Sequence, residues 1–362
     1  MRRAPAALLA GLAIAMGVCL ACAGSGRPSA PSAGQVPADQ VGVSGASTAQ
    51  QPAPQPAQLR LHLPSRSTSY LPWYVAVEQG YFKEQNLEVE IMQAPGTIGV
   101  KAMVAGEMDF SGAATSAIPA IAQGTPLKVV FVQSAKPNYW FTTRPEIQTL
   151  QDLKGKRVVV PNLGGSTYER LLSAAIRKQG MDPSTDVTFI AGGSAGGGGS
   201  DILVAALAAG LADGMVGNVL QRLSAEEHGF HTIYDFANDS ADIQGGVATS
   251  EGLLRDRPDV AQRFFRAAVK ATRVMAADPD TSLDVLIQYV EMDRGDAAKG
   301  LSWIRPLMAK DGLLTPAEQA DGLAAVKALM PEIAGLEVSQ VFDLRPLEEA
   351  VRAVDASGWQ PR

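Results

Sequence analysis

Ala105-Gly106-Glu107-Met108-Asp109 recurs further along the chain as Ala209-Gly210-Leu211-Ala212-Asp213. Each copy follows an apolar helical stretch and precedes a short strand pattern ending in small residues. A glycine just past a helix end adopts the left-handed cap conformation, and the aspartate opens the strand that follows. An echo of five residues is also compatible with generic helix-to-strand loop chemistry. Its offset matches one small lobe, however, and two lobes of one design with the chain passing between them enclose a cleft.

On either side of the first copy, strand patterns at residues 59–63, 87–92, 108–111 and 127–132 alternate with helical patterns at 72–85, 99–105 and 116–123. Around the second copy the rhythm is strand 157–160, helix 166–178, strand 187–191, helix 201–209 and strand 213–216. Such alternation predicts an α/β chain with mostly parallel sheets. Beyond Arg255 the pattern is nearly all helical. The extended segment 134–143 is the natural first hinge, and segments 233–236 and 246–249 bring the chain back as the second.

The net charge of −6 and the lack of any basic run give no footprint for nucleic acid. Met1-Arg2-Arg3, an apolar stretch to Leu20 and small residues up to Cys22 form the charged, apolar and small layout of an export signal. The apolar stretch is shorter than the roughly twenty residues that span a bilayer. Leu20-Ala21-Cys22-Ala23-Gly24-Ser25 resembles a bacterial lipobox in which Cys22 is acylated, although Cys19 stands where such motifs usually carry Leu. Acylation would supply the two-chain anchor that stable membrane attachment needs. Residues 23–57 are almost all small or polar and read as a disordered tether. Cys19 and Cys22 are the chain's two cysteines, so the mature part forms no disulfide and no cysteine-ligated metal site.

Four motifs carry a family resemblance: Pro72-Trp73-Tyr74-Val75-Ala76-Val77-Glu78-Gln79-Gly80-Tyr81-Phe82; Gly106-Glu107-Met108-Asp109-Phe110; Leu150-Gln151-Asp152-Leu153-Lys154-Gly155-Lys156-Arg157-Val158; and Gly165-Ser166-Thr167. In this order they resemble the NMT1/THI5-like periplasmic substrate-binding proteins of nitrate, sulfonate, taurine and thiamine-precursor transporters. The resemblance implies a two-lobed type II periplasmic-binding-protein fold, each lobe a mostly parallel sheet flanked by helices. It implies lobe 1 from residues 58–138 and 246–362, lobe 2 from 139–245, and a signal segment at 1–22. Its functional implication is an exported, lipid-anchored monomer that captures a small organic or anionic solute and hands it to an ABC permease, without catalysis, cofactor or metal.

Loops beyond the carboxyl ends of strands face the crevice in open α/β sheets. Ser67, Ser69, Tyr70 and Trp73 follow the first strand and are ligand-binding candidates, with loop capping and core packing as the plainer alternatives. Thr115 and Ser116 follow the third strand. Gly165, Ser166 and Thr167 open a helix whose free N–H groups suit a polar ligand end, or whose Ser166 simply caps it. Asn218 is a candidate from the facing lobe. Arg66 and Lys136 are the possible cations. The glycine run at 192–200 lacks the lysine of a phosphate loop and reads as a flexible rim. A thiamine-pyrimidine-synthase-like enzyme on the same fold needs a cysteine-rich motif that no residue after Cys22 supplies. A ligand sensor is the other alternative, but no signalling segment is attached.

Overall fold

The computed structural model describes residues 55–161, 163, 166–192, 200–328 and 330–361, and the structural statements below concern these. The export segment, the lipobox with Cys22, the tether up to residue 54, Gly165 and residues 193–199 of the glycine run lie outside them.

Two five-stranded sheets are built on one plan. The first has the order β2-β1-β3-β10-β4, from β1 (Ala57–Leu63), β2 (Leu87–Gln93), β3 (Phe110–Ser111), β4 (Leu127–Phe131) and β10 (Val247–Ser250). The second has the order β7-β6-β8-β5-β9, from β5 (Trp140–Thr143), β6 (Lys156–Val160), β7 (Val187–Ala191), β8 (Gly214–Gly217) and β9 (His231–Asp235). Within each, three strands pair in parallel, and a strand that has just crossed from the other sheet inserts antiparallel next to them. The sheets are therefore mixed, though four of five strands in each point one way. The cause is connectivity. A crossing strand starts at the junction between the sheets and must run away from it, against strands that end there.

The sequence echo has a structural counterpart. Gly106 (φ 77°) and Gly210 (φ 69°) both take the left-handed conformation. The Arg60 N–H donates to the Asp109 carboxylate at 2.8 Å and its guanidinium to the Gly106 carbonyl at 2.9 Å. In the second sheet the Arg157 N–H donates to Asp213 at 2.8 Å and its guanidinium to the Gly210 carbonyl at 2.7 Å. Each sheet thus locks the middle strand of its parallel trio, β1 or β6, to the turn before β3 or β8 with the same three residue types.

The core of the first sheet is aromatic. Phe264, on the helix Pro258–Ala277, stacks on Phe110 at 3.9 Å and on Trp73 at 5.2 Å, and Trp73 meets Phe131 edge-on at 4.8 Å. The helix expected over 72–85 is broken into Leu71–Glu78 and Tyr81–Glu84 by Gly80, whose φ of 70° other residues adopt only with strain. The second sheet is packed mainly with aliphatic side chains, Val158, Val160, Leu171, Leu172 and Ile176 together with the buried rings of Phe141 and Phe236 on one face and Val159, Leu203, Leu207 and Met215 on the other. A late helix, Arg294–Ile304, reaches the helix Val219–Glu227 of the second sheet. There the Arg222 guanidinium lies 3.6 Å over the Trp303 ring, and Lys299 pairs with Glu226 at 2.6 Å. Among the described residues no helix is long and apolar enough to cross a membrane.

Candidate functional site: the junction of the two sheets

The two crossing segments run side by side. Ser134 and Gln244 exchange N–H···O bonds of 3.1 and 3.0 Å, and the Asp242 N–H donates to the Ala135 carbonyl at 2.9 Å. Gly245 makes this pairing possible. Its φ is 61°, and a Cβ there would lie 2.3 Å from the Ser69 carbonyl oxygen and 2.8 Å from Gln133 Cβ. The loop after β1 consequently rests directly on the crossing segments. Gln133 donates to the Thr68 carbonyl at 3.2 Å, and Asn138 to Ser69 Oγ at 3.2 Å.

Polar and aromatic groups from both sheets and both crossing segments gather here. Tyr139, on the first segment, packs against Tyr168 at 4.8 Å between ring centres, and its hydroxyl is within hydrogen-bonding reach of Tyr168 and Gln244. Tyr70 approaches the Gly112 backbone, where a Cβ would stand 3.0 Å from its ring. Burial drives the ionisation of Tyr70, Tyr139 and Tyr168 upward, so all three remain neutral hydroxyls at physiological pH.

One acid and one base complete the cluster. Asp242, only 6% exposed, accepts from the Ile243 N–H at 2.8 Å and from Gln244 Nε2 at 2.6 Å. Burial raises its pKa, opposed by those hydrogen bonds and by the charge of Arg170. Arg170 stands in the first turns of the helix Thr167–Lys178. Burial lowers its pKa, against the pull of Asp242 and Tyr139, and its Nε is buried without a hydrogen-bond partner.

Of the residues singled out by sequence, Ser69 and Tyr70 lie in this cluster. Ser67 caps the short helix Thr68–Tyr70, accepting from the Ser69 N–H. Ser166 caps the helix Thr167–Lys178 through the Glu169 N–H, with Thr167 as its first residue and partly buried. Asn218 caps the helix Val219–Glu227 in a reciprocal box with Gln221. Trp73 requires correction. It is wholly buried between Phe131 and Phe264, so it offers no ring face to a cleft. Thr115 and Ser116 sit inside the helix Ala114–Ala122, whose cap is Ala113, so the capping alternative fails for Thr115. Ser116 packs against Gly96 instead.

The expected cations also change. Arg66 is exposed and paired with Glu291, Lys136 is exposed, and the cation at the junction is Arg170. Asn138, Tyr139, Tyr168, Asp242 and Gln244 were missed with it. The available signal was that Asn138 and Tyr139 fall in the first hinge, that Asp242 and Gln244 stand just before the second hinge's returning strand, and that Tyr168 and Arg170 follow an expected helix start. His62 is structural, with Nδ1 at 2.8 Å from Ser111 Oγ and Nε2 at 2.7 Å from the Ala94 carbonyl.

The family model described as NMT1/THI5 like matches residues 67–282, more than half of the chain. The chain belongs to the NMT1/THI5-like family. The matched span of this NMT1/THI5-like protein includes Ser69, Tyr70, both crossing segments, Arg170 and Asp242, the whole junction cluster. It is 25% identical to the riboflavin-binding protein RibY of Chloroflexus aurantiacus over 267 residues, 68% of this chain and 71% of that protein. Among solved structures it resembles the periplasmic aliphatic sulphonate-binding protein SsuA from Escherichia coli, with a TM-score of 0.64, 17% identity, and coverage of 85% of this chain and 94% of that one. It also resembles the periplasmic nitrate-binding protein NrtA from Synechocystis PCC 6803, with a TM-score of 0.61, 13% identity and coverage of 84% and 90%. These structures share its two-sheet, periplasmic-binding-protein fold.

Proposed function

We propose that this NMT1/THI5-like protein is the solute-binding component of an ABC importer, exported and anchored by lipid at Cys22. It captures a small organic or anionic solute and passes it to the permease, with no reaction of its own. The solute classes open to the family are sulfonates, nitrate and pyrimidine- or thiamine-precursor-like molecules, and the RibY relative adds riboflavin. The lobes are residues 58–138 with 246–362 and residues 139–245.

The observation that carries this reading is the convergence of Ser69, Tyr70, Asn138, Tyr139, Arg170 and Asp242 from two sheets and two crossing segments. A solute held there touches groups on both sides of the hinge, so its binding favours the closed arrangement. Native mass spectrometry of protein purified from an exporting bacterial host is expected to show a co-purified small molecule. Small-angle scattering should then show a smaller radius of gyration with that molecule restored than after its removal. No bound molecule, or an unchanged radius at saturation, sinks the reading. Cys22→Ser is expected to move the chain from the membrane fraction to the soluble one, and retention in the membrane would overturn the anchor.

A further inference from the structure

We propose that His62 is a positioning residue that braces two cleft-facing loops of the first sheet, and that its protonation in acid loosens them. The brace stands whatever the cleft takes, and its effect on solute retention rests on the solute-binding reading above.

The imidazole sits at the carboxyl end of β1 and is only 1% exposed, on the side where strand ends face the crevice. It has one partner beyond each neighbouring strand. Nε2 lies 2.7 Å from the carbonyl of Ala94, in the loop after β2, and Nδ1 lies 2.8 Å from Ser111 Oγ on β3. A carbonyl only accepts, so Nε2 carries the hydrogen and Nδ1 accepts from the Ser111 hydroxyl. Ser111 Oγ in turn accepts from the Ala113 N–H at 3.3 Å.

Both loops are therefore pinned to one side chain. The Ala94 loop leads into the helix Gly96–Val104, which lies so close that a Cβ at Gly99 would stand 2.1 Å from the ring. The other loop reaches the junction. Gly112 donates its N–H to the His62 carbonyl at 2.7 Å and lies beside the Tyr70 ring, and the Ala114 N–H donates to the Gly246 carbonyl at 3.1 Å. A displaced imidazole thus disturbs both Tyr70 and the return of the chain from the second sheet.

Only the neutral ring fits these bonds. A hydrogen on Nδ1 would aim at Ser111 Oγ, which already accepts from Ala113, and would evict the hydroxyl hydrogen that Nδ1 accepts. The charged groups on the surrounding elements are Arg60 on β1, Glu88 and Glu90 on β2, Lys101 on the helix and Asp109 ahead of β3. Arg60 bonds to the Gly106 carbonyl, Glu88 to Gln58 and Asp109 to Arg257, while Glu90 and Lys101 are exposed. β10 and the helix Ala114–Ala122 carry no charged residue. Among the described residues no carboxylate bonds to the ring. Burial accordingly holds its pKa below the ordinary histidine value, against the pull of the Ala94 carbonyl. A loosened ring takes its proton near the ordinary value of about 6.5 and the braced ring only at lower pH, so acid favours the loosened state.

Hydrogen exchange of the solute-free exported protein at about pH 8 and about pH 5, the span over which imidazoles gain their charge, tests this. With intrinsic rates divided out, protection at residues 98–100 and 112–114 should fall about tenfold in acid, the equivalent of one buried hydrogen bond. Protection at residues 214–217 of the second sheet should hold. His62→Asn keeps an acceptor near the Nδ1 position, and His62→Gln keeps a donor near Nε2. The Asn variant is therefore expected to loosen 98–100 alone, the Gln variant 112–114 alone, and both to lose the acid effect. The proposal falls if wild-type protection is the same at both pH values, if the second sheet loosens equally, or if each variant loosens both loops alike. Should neither variant fold, Ser111→Ala takes their place, with 112–114 expected to loosen and 98–100 to stay protected; the reverse overturns the brace. No solute enters this experiment, so the co-purified molecule still decides the solute-binding reading separately.

Discussion

Asp109 in the first sheet and Asp213 in the second hold equivalent strands by equivalent bonds, yet Asp109 also takes an ion pair from Arg257 at 3.1 Å while Asp213 reaches Arg157 Nε only at 3.9 Å. The contrast extends to the cores, where Trp73, Phe110, Phe131, Phe264 and Phe265 gather in the first, while the second is mainly aliphatic with Phe141 and Phe236 as its fully buried rings. A repeated topology therefore leaves packing free to diverge. The long helix Pro258–Ala277, present only over the first sheet, supplies the aromatic half of that core.

The largest test of this difference is Trp73→Ala. Removing a fully enclosed indole from the stack should cost about 3–5 kcal/mol, read by chemical denaturation, with solute affinity unchanged in the protein that remains folded. A stable variant with weakened binding would return Trp73 to the cleft and remove the contrast between the cores. Next in size, Asp109→Ala should cost about 2–3 kcal/mol and Asp213→Ala about 1–2 kcal/mol, because each leaves a strand N–H unpaired but only the first also strands Arg257. Equal losses in urea titrations would show that the two pins are energetically the same. The smallest effect is expected for Arg222→Ala, about 0.5–2 kcal/mol, the range for a guanidinium over an indole face. A negligible change in melting temperature would mean that the Arg294–Ile304 helix contributes nothing to the second sheet.

Local patterns were legible in the sequence, and long-range pairings were not. The strand at 187–191 and the cap glycines Gly106 and Gly210 follow from periodicity and turn chemistry that a few neighbouring residues determine. The chain's two passages between the sheets fall at or next to the extended segments 134–143 and 233–249, whose outer parts are the strands β5, β9 and β10. The helical pattern at 72–85 merged two short helices that Gly80 separates. The site was harder. Tyr139 and Asp242 meet because Ser134 pairs with Gln244, a contact that no local pattern announces. A loop arginine such as Arg66 looks available in sequence, whereas Arg170 looks like an ordinary helix residue until the opposing carboxylate is placed. Trp73 misled for a related reason, because its position at a helix start does not say which side of the helix meets the long helix Pro258–Ala277.

The insertion of β10 between β3 and β4 also sets an order of completion. During synthesis β1, β2, β3 and β4 leave the ribosome first, but β3 and β4 have no shared partner until residues 247–250 arrive. By then every strand of the second sheet has already been made, because β5 precedes β6 to β9 in the chain. The second sheet can close from a contiguous stretch, while the first carries two open edges for more than a hundred residues of elongation, and open edges invite mispairing. The sheet whose strands are made first is the last to be finished.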